Sequence, residues 1–126
     1  MGPVEHAIQA TFRAPTTLRT IGQGKEFILS EIDDDGIVLL LGAKQAHTRL
    51  SWESLESVPT YLRQQPGWVP VGGARRAEGE PGTLDEHLKR YIKRDVARWV
   101  IRVLLDAGIV EVAERPGLHV RMVPEA

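Results

Sequence analysis

The apolar residues Leu84, Leu88, Ile92, Val96, Val100, Val103 and Ala107 recur at steps of three and four, so a helix carrying them buries them as one stripe. Start and stop signals flank the stripe. Pro81-Gly82 precedes Thr83-Leu84-Asp85-Glu86, a capping box in which Thr83 accepts from the Glu86 amide and Glu86 reaches back. Gly108 stands where a left-handed residue closes a helix. No Gly, Pro or slip in register interrupts the phase, which predicts one continuous helix over 83–108, about 24 residues and roughly 36 Å long. Its second half, with Trp99, Val100, Ile101, Val103, Leu104 and Leu105, is apolar almost all round and is expected to plug into the core. Its first half leaves His87, Arg90, Tyr91, Lys93 and Arg94 nearest solvent.

The expected exposed side carries Lys89, Arg90, Lys93, Arg94, Arg98 and Arg102, of which Arg90, Arg94, Arg98 and Arg102 recur at steps of four as a second stripe. Between His87 and Val103 these six bases face a single acid, Asp95, although the whole chain has a formal charge of -1. A basic face concentrated on a near-neutral protein points to a phosphate-bearing partner, while a plain solvated face is the competing reading. Gly-Gly-Ala-Arg-Arg-Ala-Glu-Gly-Glu-Pro-Gly over 72–82 has no periodicity and reads as a flexible loop. Its Arg75 and Arg76 lie just before the helix start, so loop and helix are expected to form one basic surface.

Ahead of that loop the signals change period. Residues 25–32 and 37–41 are β-rich runs joined by Asp33-Asp34-Asp35-Gly36, a hairpin turn in which Gly supplies the positive φ. Residues 46–50 follow as a third strand of an antiparallel meander. Ser51 caps a helix over 52–63, with Glu53 and Glu56 where the dipole favours acids and Pro59 expected to kink or divide it. Trp68-Val69-Pro70-Val71 reads as an edge strand, confined there by its proline. Residues 1–24 read as an irregular lead-in with a short helix or turn near 5–12. After the long helix, 109–113 and 118–123 form a hairpin around Glu114-Arg115-Pro116-Gly117. The fold class is α+β, with residues 1–126 as a single domain: a meander plus helix over 25–71 packed against the long helix and hairpin of 83–123.

Val96-Ala97-Arg98-Trp99-Val100-Ile101-Arg102-Val103-Leu104-Leu105-Asp106-Ala107-Gly108-Ile109-Val110-Glu111-Val112, followed by Arg115-Pro116-Gly117 and Leu118-His119-Val120-Arg121-Met122, resembles the recognition helix, wing strands and wing of winged helix-turn-helix DNA-binding modules. The resemblance covers about a third of the chain. It implies that the amino half of the long helix meets the major groove and that Arg115 on the wing meets phosphate or minor groove.

Composition removes several classes of chemistry. The chain has no cysteine, which excludes disulfides, thiolate catalysis and cysteine-ligated zinc or iron-sulfur clusters. His6, His47, His87 and His119 show no metal-ligand spacing, Gly22-Gln23-Gly24-Lys25 lacks the spacing of a phosphate loop, and no nucleophile elbow occurs. The acids at 33–35 read as a solvated turn. No catalytic residue, metal or cofactor is therefore assigned. No run of 18 apolar residues occurs, and residues 1–6 show no basic-then-apolar leader, so a cytoplasmic protein without a membrane partner is expected. The leading expectation is a nucleic-acid-binding module, double-stranded DNA ahead of RNA, contacting its ligand through Arg75, Arg76, Lys89, Arg90, Lys93, Arg94 and Arg115. The alternative is a protein-interaction or assembly domain with the meander edge and Trp52, Tyr61 or Trp68 as its adhesive surface. Homodimer formation is compatible with either.

Overall fold

The computed structural model describes residues 2–73 and 77–124. Its elements follow in the order α1 (Pro3–Thr11), β1 (Thr16–Arg19), β2 (Glu26–Asp33), β3 (Gly36–Leu41), β4 (Ala46–Ser51), α2 (Trp52–Arg63), β5 (Val69–Pro70), α3 (Leu84–Leu88), α4 (Ala97–Asp106), β6 (Val110–Glu114) and β7 (Leu118–Met122). The first four strands form an antiparallel sheet in chain order, and a second antiparallel sheet has the order β5-β7-β6. This is an α+β fold. One apolar core joins Phe27, Leu29, Ile37, Leu39 and Leu50 of the first sheet to Leu55 and Val58 of α2, Leu84 and Leu88 of α3, Val100 and Leu104 of α4, and Val120 of β7.

The hairpin turn at 33–36 forms as its residues predict. Asp33 Oδ1 accepts from the amides of Asp35 and Gly36 at 2.9 and 3.1 Å, and Arg49 of β4 donates to both carboxylate oxygens at 2.9 Å. The Arg49 hydrogen bonds, helped by the Asp35 amide, hold the Asp33 carboxyl at about 2. An NMR acid titration should therefore find Asp33 still ionised near pH 3, and Arg49→Gln should bring its pKa back toward the ordinary aspartate value. Because the folded value is depressed, the contribution to stability is present above about pH 4 and is lost as pH falls toward about 2. Ser51 caps α2 by accepting from the Ser54 amide at 3.1 Å. Pro59 sits inside α2 without dividing it.

The first 24 residues are more regular than the sequence suggests. The short helix is α1, whose first-turn amides Val4 and Glu5 donate to the Glu56 carboxylate of α2 at 3.1 and 2.9 Å. This is capping by a distant acid, invisible to local pattern. Residues 16–19 then pair with β2, Thr16 opposite Leu29, so the meander has four strands rather than three.

Residues 83–108 form two helices and a connecting turn, not the one continuous helix expected from their spacing. Thr83 caps α3 by accepting from the Glu86 amide at 3.2 Å, while Glu86 reaches back to the Gly82 amide. At the far end the amides of Gly108 and Ile109 close α4 on the carbonyls of Leu105 and Leu104, with Gly108 at φ 77°. Between them the amides of Arg90 and Tyr91 tighten to i−3 bonds on His87 and Leu88, and the ladder ends on the bond from the Ile92 amide to the Leu88 carbonyl at 3.1 Å. The break brings Asp95 onto Lys89. In a continuous helix six residues carry the chain about 9 Å along and some 240° round the axis, so that pair could not close. The apolar stripe is still buried or half-buried, because two helices set end to end on one core satisfy the same spacing. The second, basic stripe does not exist.

Candidate nucleic-acid interface

Lys89 is the pivot of the turn between α3 and α4. It lies 2 % exposed, with its ammonium 3.2 Å from Asp85 Oδ2 and bonded also to Asp95. Burial alone lowers a lysine pKa, but the hydrogen bonds that the ammonium donates to Asp95 and Asp85 outweigh it and hold the Lys89 pKa above its ordinary value. The expectation that Lys89 faces solvent as a ligand contact is thus overturned: it is a buried ion-pair partner. Asp85, itself 0 % exposed, also accepts weakly from the Glu80 amide, while its other carboxylate oxygen has no partner among the described residues.

The next five residues behave differently. Arg90, Tyr91, Lys93 and Arg94 are exposed, and only Ile92 tucks inward. Arg94 crosses to β4, where its guanidinium donates to the His47 carbonyl at 3.2 Å and to Thr48 Oγ1 at 3.0 Å. That cross-link sets 90–94 along the outer strand of the first sheet, next to the exposed side chains of His47 and Arg49. A recess of ≈ 270 Å³ separates them, lined by Arg49, Leu50, Ser51, Ser54, Tyr91 and Ile92. Because it holds two chain segments together, Arg94→Ala should cost about 1 kcal/mol in a urea melt, more than an unbonded surface arginine.

Tyr91 ends a row of aromatic rings. His87 stacks on Tyr61 of α2 with centroids 4.4 Å apart and planes at 16°, and Tyr91 tilts against His87 at 5.8 Å and 60°. The row is firmly seated. Ser57 donates its hydroxyl to the Ser54 carbonyl at 2.6 Å, so it accepts from His87 Nε2 at 2.9 Å and the imidazole carries its proton there. Burial, reinforced by the Arg90 charge, holds the His87 pKa below 6.5. In that arrangement the Ser57 hydroxyl proton points to the Ser54 carbonyl and not to the histidine. Burial, followed by the Glu86 charge, raises the Tyr61 pKa.

The β6–β7 hairpin presents a second basic feature. Trp68, just before β5, lies under two guanidinium groups, Arg115 at 5.4 Å and Arg121 at 4.3 Å from its ring centroid. Arg121 also bonds Glu111 across the hairpin. Arg115 is exposed as expected, and its stacking on Trp68 was not legible because the pairing of β5 with β7 brings the ring there. Arg75 and Arg76 lie outside the described residues.

Helix α4 offers little to a groove. None of its residues is fully exposed: it packs on α1, β1, α3 and β6, and Arg102 pairs with Asp106 at 3.2 Å. Arg98 is half-buried in a notch of ≈ 330 Å³ against Gly73, Glu80, Gly117 and His119. Trp99 is half-buried rather than central to the core. Of the three aromatic residues considered for an adhesive surface, Trp52 is 8 % exposed and donates to the Asp33 carbonyl at 2.9 Å, while Tyr61 and Trp68 are half-buried.

Among the described residues no group of three or more His, Asp or Glu could hold a metal ion. No described helix is long and apolar enough to cross a membrane. Comparison of the chain with family models, curated proteins and solved structures returned no match.

Proposed function

We propose that this chain is a nucleic-acid-binding module built on a winged helix-turn-helix scaffold. The observation that carries the reading is the connectivity of residues 52–122: helix α2, strand β5, helices α3 and α4 separated by a turn, then a hairpin whose second strand pairs with β5. A helix-turn-helix with a wing requires that break and that hairpin. The ligand contacts fall to Arg90, Lys93 and Arg94 in the turn and to Arg115 on the wing, rather than to the enclosed outer side of α4. Such contacts are to phosphate more than to base edges, so affinity should depend on salt more than on sequence.

A titration of labelled duplex and single-stranded DNA at several salt concentrations tests this. The logarithm of affinity should fall linearly with the logarithm of salt, and Arg90→Gln with Lys93→Gln should flatten the duplex slope by about 0.9 per lost contact. Arg94 is left in place because it braces β4. Absence of binding to any nucleic acid at about 50 mM salt would overturn the reading. The alternative, a protein-interaction domain, draws on a recess of ≈ 600 Å³ at the first sheet, lined in part by Thr17, Phe27, Ile28 and Leu40.

A further inference from the structure

Tyr91 and Val123 are the large apolar side chains that stand out as exposed, at 42 % and 40 %, and Tyr91 alone lies among bases. Arg90 precedes it, Lys93 and Arg94 follow it, and the nearest acid in the chain, Asp95, is engaged by Lys89. The ring is nevertheless well supported, because it leans on His87, which Ser57 and Tyr61 hold from the other side. Beside it opens the recess along β4, whose lining includes Ser51 and Arg49.

An aromatic ring that is 42 % exposed, braced at a tilt by a second ring and flanked by cations is an arrangement that binds an unstacked base and its phosphates together. A duplex cannot use it in the same way, since its bases are already stacked on one another and offer a free π-face only at an end. We propose that Tyr91 is a stacking platform for an unpaired nucleobase, with the recess beside β4 receiving that base and Arg90 and Lys93 neutralising the phosphates on either side. The preferred ligand of the interface is then single-stranded nucleic acid. This rests on the nucleic-acid-binding reading above and narrows its substrate class.

Fluorescence anisotropy with labelled oligo(dT), the same strand annealed to oligo(dA), and an abasic oligomer of equal length tests the proposal. Wild type should bind the single strand more tightly than the duplex. Tyr91→Leu should weaken single-strand binding about 5- to 100-fold and leave duplex binding unchanged, while Tyr91→Phe should retain it. The abasic oligomer on wild type removes the stacking partner without touching the protein, and should reproduce the loss even if Tyr91→Leu fails to fold. Equal binding of the abasic and oligo(dT) strands would overturn the stacking platform while leaving the charge-based contacts standing. Failure of all three probes to bind would overturn both.

Discussion

Lys89→Met should destabilise the protein by about 3 to 5 kcal/mol in chemical denaturation, the range expected when one member of a buried ion pair is removed and the other is left. Asp85 would be the residue left. It is fully enclosed, and without the ammonium one of its oxygens would keep only the long contact from the Glu80 amide. Asp95 can turn to water, since a third of its side chain is exposed, so Asp95→Asn should cost far less than Lys89→Met. Converting Lys89 and Asp85 together to Met and Leu should recover much of the loss, because the penalty lies in the unpaired charge and not in the absent pair. If Lys89→Met proves nearly neutral, the pivot is not holding α3 to the start of α4. The pH dependence follows from the raised lysine pKa: the stabilisation is complete below the unfolded lysine value of about 10.4 and is lost as pH climbs through the higher folded value. Alkaline unfolding that begins above pH 10 and is blunted in the variant is the expected signature.

That pivot also explains what could be read in the sequence and what could not. The turn at 33–36, the Ser51 and Thr83 caps and the Gly108 terminus depend on residues within a few positions of one another, and each formed as local chemistry dictates. The break after α3 is decided at longer range, by Lys89 closing on Asp95 and by Arg94 bonding to β4. Apolar spacing cannot report it, since one long helix and two short ones on the same core give the same period. One signal was present: Asp85 stands four residues before Lys89, the spacing of an i,i+4 pair, and marks Lys89 as the paired base of the cluster. Strand β1 escaped for a different reason. Thr16–Arg19 is four residues with alternating burial, too short for its period to stand above the prolines and glycines around it.

The site divides along the same line. Exposure of Arg90, Lys93, Arg94 and Arg115 was legible from charge and phase. The row from Tyr61 through His87 to Tyr91 was not, because it joins two helices whose packing no sequence window contains. The enclosure of α4 escaped too. Its outer residues, Arg98, Trp99 and Arg102, look like a free amphipathic face until the chain folds, when Arg98 enters the notch beside Gly73, Glu80, Gly117 and His119 and Arg102 pairs with Asp106.

Gly36→Ala should cost about 3 to 5 kcal/mol, combining steric overlap with an unfavourable backbone conformation. Gly36 closes the β2–β3 hairpin with φ 151°, and a Cβ there would lie 1.9 Å from the Leu50 carbonyl oxygen and 2.9 Å from its carbon. Both obstacles are backbone atoms of β4, which cannot rotate aside as the tip of a side chain can. Relief would require β4 to move away from β3, and β4 carries the Arg49 bonds to Asp33 and the Arg94 bond at His47. Gly42→Ala is the matched control: its φ is 72° but nothing lies within 4 Å of the added carbon, so only the left-handed conformation is penalised, by about 1 to 2 kcal/mol. The difference between the two variants in thermal or urea melts isolates the steric part. Equal losses would mean that β4 yields to the added methyl, and then the segment 90–94 that Arg94 ties to it would shift with the strand.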